Sequence, residues 1–314
     1  MKPLRRPAAA RQRGAALLMA MIIVTLVVTM TGSMLWQQWR AVQVEAAERA
    51  RNQAAWILNG ALDWARLILK EDARTGRPTS LNEPWATPFA EARLSTFLAA
   101  DTAHAEDAPD AFLSGSIVDA QSHYNLANLV GQGKVVEAEQ QTLERLCQSI
   151  GLASDVAGRL ANALNDAHAG AASAPLLPAT LDQLGWLGID AETVRQLAPY
   201  VTLLPEPTPL NLNTAPREVL AAVLGGLNLG AAERLVQARR NSPFKNLAAV
   251  EALLPALAPL DPKRVGFTSN YFEVRGRLRL LDRSLEERSL VQRVGRDVKV
   301  RQRERVSSRD VGGG

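Results

Sequence analysis

Thiols, imidazoles and clustered carboxylates are the groups most able to do chemistry, and in this 314-residue chain they stand apart. Cys147, the sole cysteine, lies in the apolar-periodic run LERLCQSIGL; with no second thiol it closes no internal disulfide in any redox compartment. That setting predicts a buried, inert thiol rather than a nucleophile. The histidines, His104, His123 and His168, are scattered, and no two stand at the helical spacing a zinc pair uses. No nucleophile–base set, Gly-rich phosphate loop or metal-ligand cluster is present, so the sequence carries no sign of an enzyme. A formal charge of +4 and a pI near 9.5 suggest nucleic acid only until the cations are located. Five of the 36 Lys and Arg (Lys2, Arg5, Arg6, Arg11 and Arg13) lie in the first 14 residues, and the remaining 31 face 32 Asp and Glu.

Those five cations precede a run, residues 15–39, that has no charged side chain. At ~1.5 Å per helical residue the run covers a hydrocarbon core of ~30 Å. The basic flank holds the N-terminus in the cytoplasm and sends the rest across the membrane, and Trp36 and Trp39 fall where an interfacial anchor sits. A cleaved secretory signal would be shorter and end in a small-x-small site, whereas this run ends in WQQWR. A plain signal anchor stays open on these grounds. Past Arg40 the run thins to a stripe of Ile57, Leu58, Ala61, Leu62, Ala65, Ile68 and Leu69, with charged residues between. No proline falls between Ala8 and Arg77. The pattern predicts one helix of about 55 residues, lipid-buried in its first half and amphipathic in its second. Thr31-Gly32-Ser33 is its soft point, and the stripe lacks the sustained heptads of a coiled coil.

Residues 73–88 read as a loop; Thr87 and Pro88 then open a short helix through Phe89, Leu94, Phe97 and Leu98. An acidic loop, residues 101–112, leads to GSIVDAQSHYNLANLV, where Ile117 and Val118 start a strand and Asn125 and Asn128 suit turns or caps. Residues 135–167 predict two helices, the second capped by Ser154. Thr180 with Gln183 makes a capping box, and Asp190, Thr214 and Asn246 cap further short helices. Short helices joined by Gly turns over residues 179–259 have the pattern of SAM-like or helix-hairpin-helix packing. Such units commonly bind DNA through turn amides on a phosphate. Here Gly230 is followed by Ala231, Ala232 and Glu233, and a solvated helical face accounts for Arg234, Arg239, Arg240 and Lys245. From residue 270 the period changes to two: Phe272 and Val274, Leu278 and Leu280, Val298 and Val300 alternate with charges, with Gly276 marking a bulge and Gly295 a turn. This predicts an antiparallel sheet packed on the amphipathic half of the long helix, its outward Arg and Lys solvating an exposed face.

Basic residues immediately before Gly14 and apolar ones immediately after resemble the leader of type IV pilins and type II secretion pseudopilins. The resemblance implies a cut by prepilin peptidase between Gly14 and Ala15. It also places Met19 at the fifth mature position, where most of that group carry Glu; absence of this Glu marks the K-type minor subunit. DAQSHYNLANLV and LNLNTAPREVL are similar to K-type runs. Where that family usually shows an acidic calcium-type loop, this chain has Asn165, Asp166 and His168, few acids for an ion that prefers six to eight oxygens, so no cofactor is expected, with Asp166 the one calcium candidate.

The expected fold is α+β: a long N-terminal transmembrane and stalk helix, a pilin-like antiparallel sheet, and a large inserted all-helical (SAM-like or helix-hairpin-helix) domain. Its parts are a cytoplasmic leader (1–14), a transmembrane segment (15–39), the amphipathic part of the stalk (40–71), connecting loops and a short helix (72–115), the helical insertion (116–265), C-terminal strands (266–306) and a disordered tail (307–314). The resemblance implies a single-pass inner-membrane protein with its C-terminal domain in the periplasm. It implies a minor pseudopilin that caps the pseudopilus tip and primes its assembly for export of folded proteins across the outer membrane. Implied partners are the minor pseudopilins I and J, the major pseudopilin, the prepilin peptidase and the inner membrane, with no nucleic acid. The alternative is a membrane-anchored helix-hairpin-helix protein for DNA binding or uptake.

Overall fold

The computed structural model describes residues 12–94, 111–171, 173–225, 227–254, 259–280 and 283–309. Lys2, Arg5, Arg6, Arg11, Phe97, Leu98 and His104 lie outside them, as does the Arg13 side chain. Helix α1 is continuous over Gln12–Arg74. The chain divides into two units, Met1–Ile57 and Leu58–Gly314.

In the first unit the apolar side chains from Leu17 to Val44 are exposed, and α1 is long and apolar enough to cross a membrane. Its hydroxyls turn inward on the helix. Thr29 donates to the Thr25 carbonyl at 2.9 Å, Thr31 to that of Val27 at 2.8 Å and Ser33 to that of Met30 at 2.8 Å. This leaves few polar groups unsatisfied on an apolar helix. The helix passes through Thr31-Gly32-Ser33 unbroken.

In the second unit, five antiparallel strands run in the order β1 (Phe89–Arg93), β2 (Ala111–Asp119), β9 (Tyr271–Leu280), β10 (Arg283–Val294), β11 (Asp297–Arg309). Leu58, Leu62, Ala65 and Leu69 of α1 are buried; the last three pack with Trp85, Phe272, Val274, Val291 and Val298. The helical period of one element thus meets the two-residue period of the other. Gly115 and Gly276 face each other across β2 and β9 in regular register. A Cβ on Gly276 would lie 3.1 Å from Leu58 Cδ2, and one on Gly115 2.9 Å from the Arg275 carbonyl oxygen. Gly276 therefore lets α1 approach the sheet rather than marking the expected bulge, which falls between Leu290 and Val291. Gly295, at φ +63, makes the expected turn.

Three further expectations change here. Phe89–Arg93 is a strand, not a helix, because it pairs with β2 (Phe89 with Gly115, Arg93 with Phe112); a long-range ladder outweighs a local helix-start signal. The strand containing Ile117 and Val118 starts six residues before Ile117, at Ala111, where it meets Leu280 of β9. Ser307, Ser308 and Arg309, assigned to a disordered tail, pair with Leu285, Ser284 and Arg283.

Between β2 and β9 lies a helical lobe. It holds α2 (Glu137–Ser149), α3 (Asp155–Ala169), a 3-10 helix (Leu181–Leu187), α4 (Ala191–Leu197), α5 (Arg217–Val223), α6 (Leu229–Asn241) and α7 (Leu247–Glu251). Its core centres on Leu143, Leu146, Leu160, Leu184, Leu197 and Leu220, each fully buried. It is not all-helical. Short pairs β3 (Tyr124–Asn125) with β6 (Val201–Thr202), β4 (Val130–Gly131) with β5 (Lys134–Val135), and β7 (Leu210–Asn211) with β8 (Val265–Gly266) tie its segments together.

Candidate functional site

The polar centre of the second unit is Asp119, the last residue of β2, only 2% exposed. Its Oδ1 accepts the Gln121 amide at 2.8 Å, capping a 3-10 turn (Ala120–Ser122). Its Oδ2 accepts the Thr214 and Ser269 hydroxyls, each at 2.6 Å, and the Asn211 side-chain amide at 2.9 Å. Burial pushes the carboxyl pKa up, and these four hydrogen bonds oppose it without cancelling it. Asn211 also donates to the Thr79 carbonyl at 3.1 Å, and Thr79 Oγ1 accepts the Ser269 amide at 3.1 Å. The cluster holds donors aimed at a carboxylate and carries no nucleophile–base geometry.

Asparagines do the same work nearby. Asn125 Oδ1 accepts the amides of Ala127 at 3.0 Å and Leu204 at 3.1 Å, while its Nδ2 donates to the Glu206 carbonyl at 2.8 Å. Asn128 and Thr208 exchange two bonds of 3.0 Å, and Asn213 bridges to the Phe244 backbone at 2.9 and 2.8 Å. Each amide side chain presents a donor nitrogen beside an acceptor oxygen, as a peptide group does, so it substitutes for a strand neighbour. A second, part-buried set joins Glu139 to Arg264 at 2.7 Å and to the Tyr124 hydroxyl at 3.1 Å; burial and Glu139 push that phenol well up.

DAQSHYNLANLV and LNLNTAPREVL lie far apart in the sequence; the fold brings them together through Asp119, Asn211 and Thr214. Thr214 is therefore not the cap expected of it. Its hydroxyl goes to Asp119, and the helix starts at Arg217 behind Pro216 with no side-chain cap. Ser154 likewise makes no capping bond, whereas Asp190 and Asn246 cap their helices through the amides of Thr193 at 2.9 Å and Ala249 at 3.0 Å. Gln183 accepts the Thr180 amide at 3.3 Å.

Gly14, Ala15 and Met19 lie exposed on α1, with nothing near the position of a Gly14 Cβ. Asp166 stands exposed on α3, not on a loop, since that helix runs to Ala169. Among the described residues no three His, Cys, Asp or Glu gather as a metal would require. A lone helical carboxylate does not fit a calcium ion that needs about six to eight oxygens. Cys147 is fully buried, and burial pushes its thiol up to about 11. His123 lies 3.0 Å from Ser122 Oγ with its pKa lowered by burial, and His168 is exposed.

The basic residues of the helix-hairpin-helix-like segment divide. Arg234, Arg240 and Lys245 are exposed, but Arg239 is not on a solvated face. It is 6% exposed and donates to the Leu212 carbonyl at 2.7 Å; burial and Arg240 push its pKa down to about 10. The amide of Ala231, which a phosphate would want, is already bonded to Asn228 Oδ1 at 2.8 Å.

An N-terminal apolar helix whose far end lies on an antiparallel sheet defines a pilin-like protein, here with a helical lobe inserted between two strands. Family models described as type II secretion system protein K match residues 122–206 and 210–268. The type II secretion system protein K of Pseudomonas aeruginosa is 28% identical over 96% of this chain and 94% of its own length, and that of Pectobacterium carotovorum is 28% identical over 94% and 96%. A chain in the crystal structure of the GspK–GspI–GspJ complex from the enterotoxigenic Escherichia coli type 2 secretion system superposes with a TM-score of 0.65. It is 20% identical, over 83% of this chain and 99% of that one. The chain is thus similar to type II secretion system protein K along nearly its whole length. These relatives are named as secretion-system proteins, not as enzymes.

Proposed function

We propose that this protein is a minor pseudopilin that caps the tip of a pseudopilus, together with the minor pseudopilins I and J, and primes its assembly on the major pseudopilin for export of folded proteins. The observation that carries the reading is the end-to-end likeness to protein K, which spans anchor helix, lobe and sheet. Two features of the chain support a tip position. Met19 puts no carboxylate in the apolar segment, so no neighbouring amine is needed to neutralise one in lipid. The lobe between β2 and β9 adds bulk that would obstruct a subunit stacked above it. The protein acts by structure rather than catalysis and needs neither calcium nor nucleic acid. It crosses the inner membrane once, N-terminus in the cytoplasm and C-terminal unit in the periplasm, and prepilin peptidase cuts between Gly14 and Ala15. Gly14→Ala should leave an uncleaved precursor and block secretion, whereas the parent's mature chain should begin at Ala15 by mass spectrometry. Normal processing and secretion by the variant would sink the pilin-type reading.

A further inference from the structure

A lobe inserted between two strands is joined to its sheet by two chain crossings, and such links ordinarily permit relative motion. Here both crossings end in the same polar cluster. The outgoing one is Asp119–Ser122 and the returning one is Ser269–Tyr271. Asp119 Oδ2 accepts from Ser269, and Gln121 Oε1 accepts the amides of Asn270 at 2.6 Å and Tyr271 at 3.3 Å. From inside the lobe, Asn211 and Thr214 donate to the same carboxylate oxygen, and Gln121 Nε2 donates to the Pro209 carbonyl at 3.0 Å. A third segment, the loop after α1, joins through Thr79, whose amide donates to the Phe267 carbonyl at 2.8 Å and whose carbonyl accepts from Asn211.

We infer that this Asp119-centred cluster is a clasp that locks the helical lobe to the sheet, so that the two move as one body. The partners of Oδ2 explain why the residue is a carboxylate: two hydroxyls and an amide nitrogen all donate to one oxygen. An amide in its place would turn a nitrogen toward some of these groups and lose acceptors, with almost no change of volume. Burial is the largest influence on the carboxyl, and the hydrogen bonds from Ser269, Thr214, Gln121 and Asn211 oppose it. Leaving such a group unpaired is costly, so the donors hold their places together or separate together.

The test uses the full-length chain in detergent micelles, with spin labels on Asp182→Cys in the lobe and Lys299→Cys on β11. Both sites are exposed, and buried Cys147 stays unlabelled. Pulsed dipolar spectroscopy should give one narrow distance for the parent. Asp119→Asn, with its helical circular dichroism intact, should lose that single distance and give a broad distribution. A folded Asp119→Asn that keeps the narrow distance overturns the clasp. Should Asp119→Asn fail to fold, Thr214→Val combined with Ser269→Ala decides: broadening supports the clasp, and an unchanged distance overturns it. The outcome is independent of Gly14 processing and of any tip position.

Discussion

Arg293→Met removes the cation from a buried place where Asp72 pairs with it and Glu83 lies within its field. Arg293 and Asp72 form an ion pair in which each side chain is 10% exposed. The guanidinium lies 4.4 Å from the centre of the Phe272 ring, which packs edge-on against Trp85 at 5.3 Å. Glu83 belongs to the same neighbourhood: burial raises its pKa, Asp72 raises it further and Arg293 lowers it. Methionine keeps much of the arginine stem's bulk, so the loss is electrostatic rather than a cavity. Breaking a buried pair from one side costs about 3–5 kcal/mol, because the remaining charge is stranded without water. Asp72→Asn should cost less, about 1–3 kcal/mol, since Arg293 keeps Glu83 within its field. The double variant should cost less than the sum, because the two sites share one interaction. Urea unfolding of the full chain in micelles, followed by circular dichroism, measures all three. The reasoning fails if Arg293→Met costs under ~1 kcal/mol, or no more than Asp72→Asn.

The two facing glycines should respond unequally. An added methyl at Gly115 meets a backbone carbonyl and should cost about 1–3 kcal/mol, whereas Gly276→Ala meets the end of the Leu58 side chain and should cost less; equal shifts in thermal midpoint would contradict this. Cys147, buried with its thiol pushed up to about 11, should resist iodoacetamide at mildly alkaline pH until denaturant is added, and rapid labelling of the folded chain would refute its burial. The Asp119 carboxyl is raised in the folded state, so its contribution to stability is present below its unfolded pKa and is lost as pH rises through the folded one. Lowering the pH from neutrality should therefore widen the stability advantage of the parent over Asp119→Asn; a narrowing gap would show that the sign is wrong.

Much of the fold was legible because its signals are local. The Leu58, Leu62, Ala65 and Leu69 spacing specifies a helix face, and the alternation through Phe272 and Val274 specifies a strand face, whatever lies elsewhere in the chain. The misses share one cause, a partner far away in sequence. Thr214 has the form of a helix cap, but its hydroxyl is taken by Asp119, 95 positions earlier. Phe89–Arg93 shows a helix-start signal, but the open edge of β2 recruits it as a strand. Arg239 has the charge of a surface residue, yet a backbone carbonyl at Leu212 holds it inside. Asp119, Asn211 and Thr214 stand in two runs the sequence marks, whereas Thr79 and Ser269 stand in neither; that all five converge depends on the return of β9, which no local pattern encodes.

That return also sets a timetable for the chain. Asp119 and Ser269 are 150 positions apart, and β2 has no central neighbour until β9 arrives. Within the lobe the packed helix pairs α2–α3 and α5–α6 are, by contrast, close in sequence, and contacts of short separation form sooner than long ones. The middle of the chain should thus take shape while the sheet is still open at its seam. Pulse-labelled hydrogen exchange should protect amides of α2 and α3 before those of β2, and the reverse order would refute this. A chain emerging N-terminus first must then hold a half-built sheet exposed until nearly its whole length has followed, which makes the β2–β9 seam the place where folding and misfolding compete.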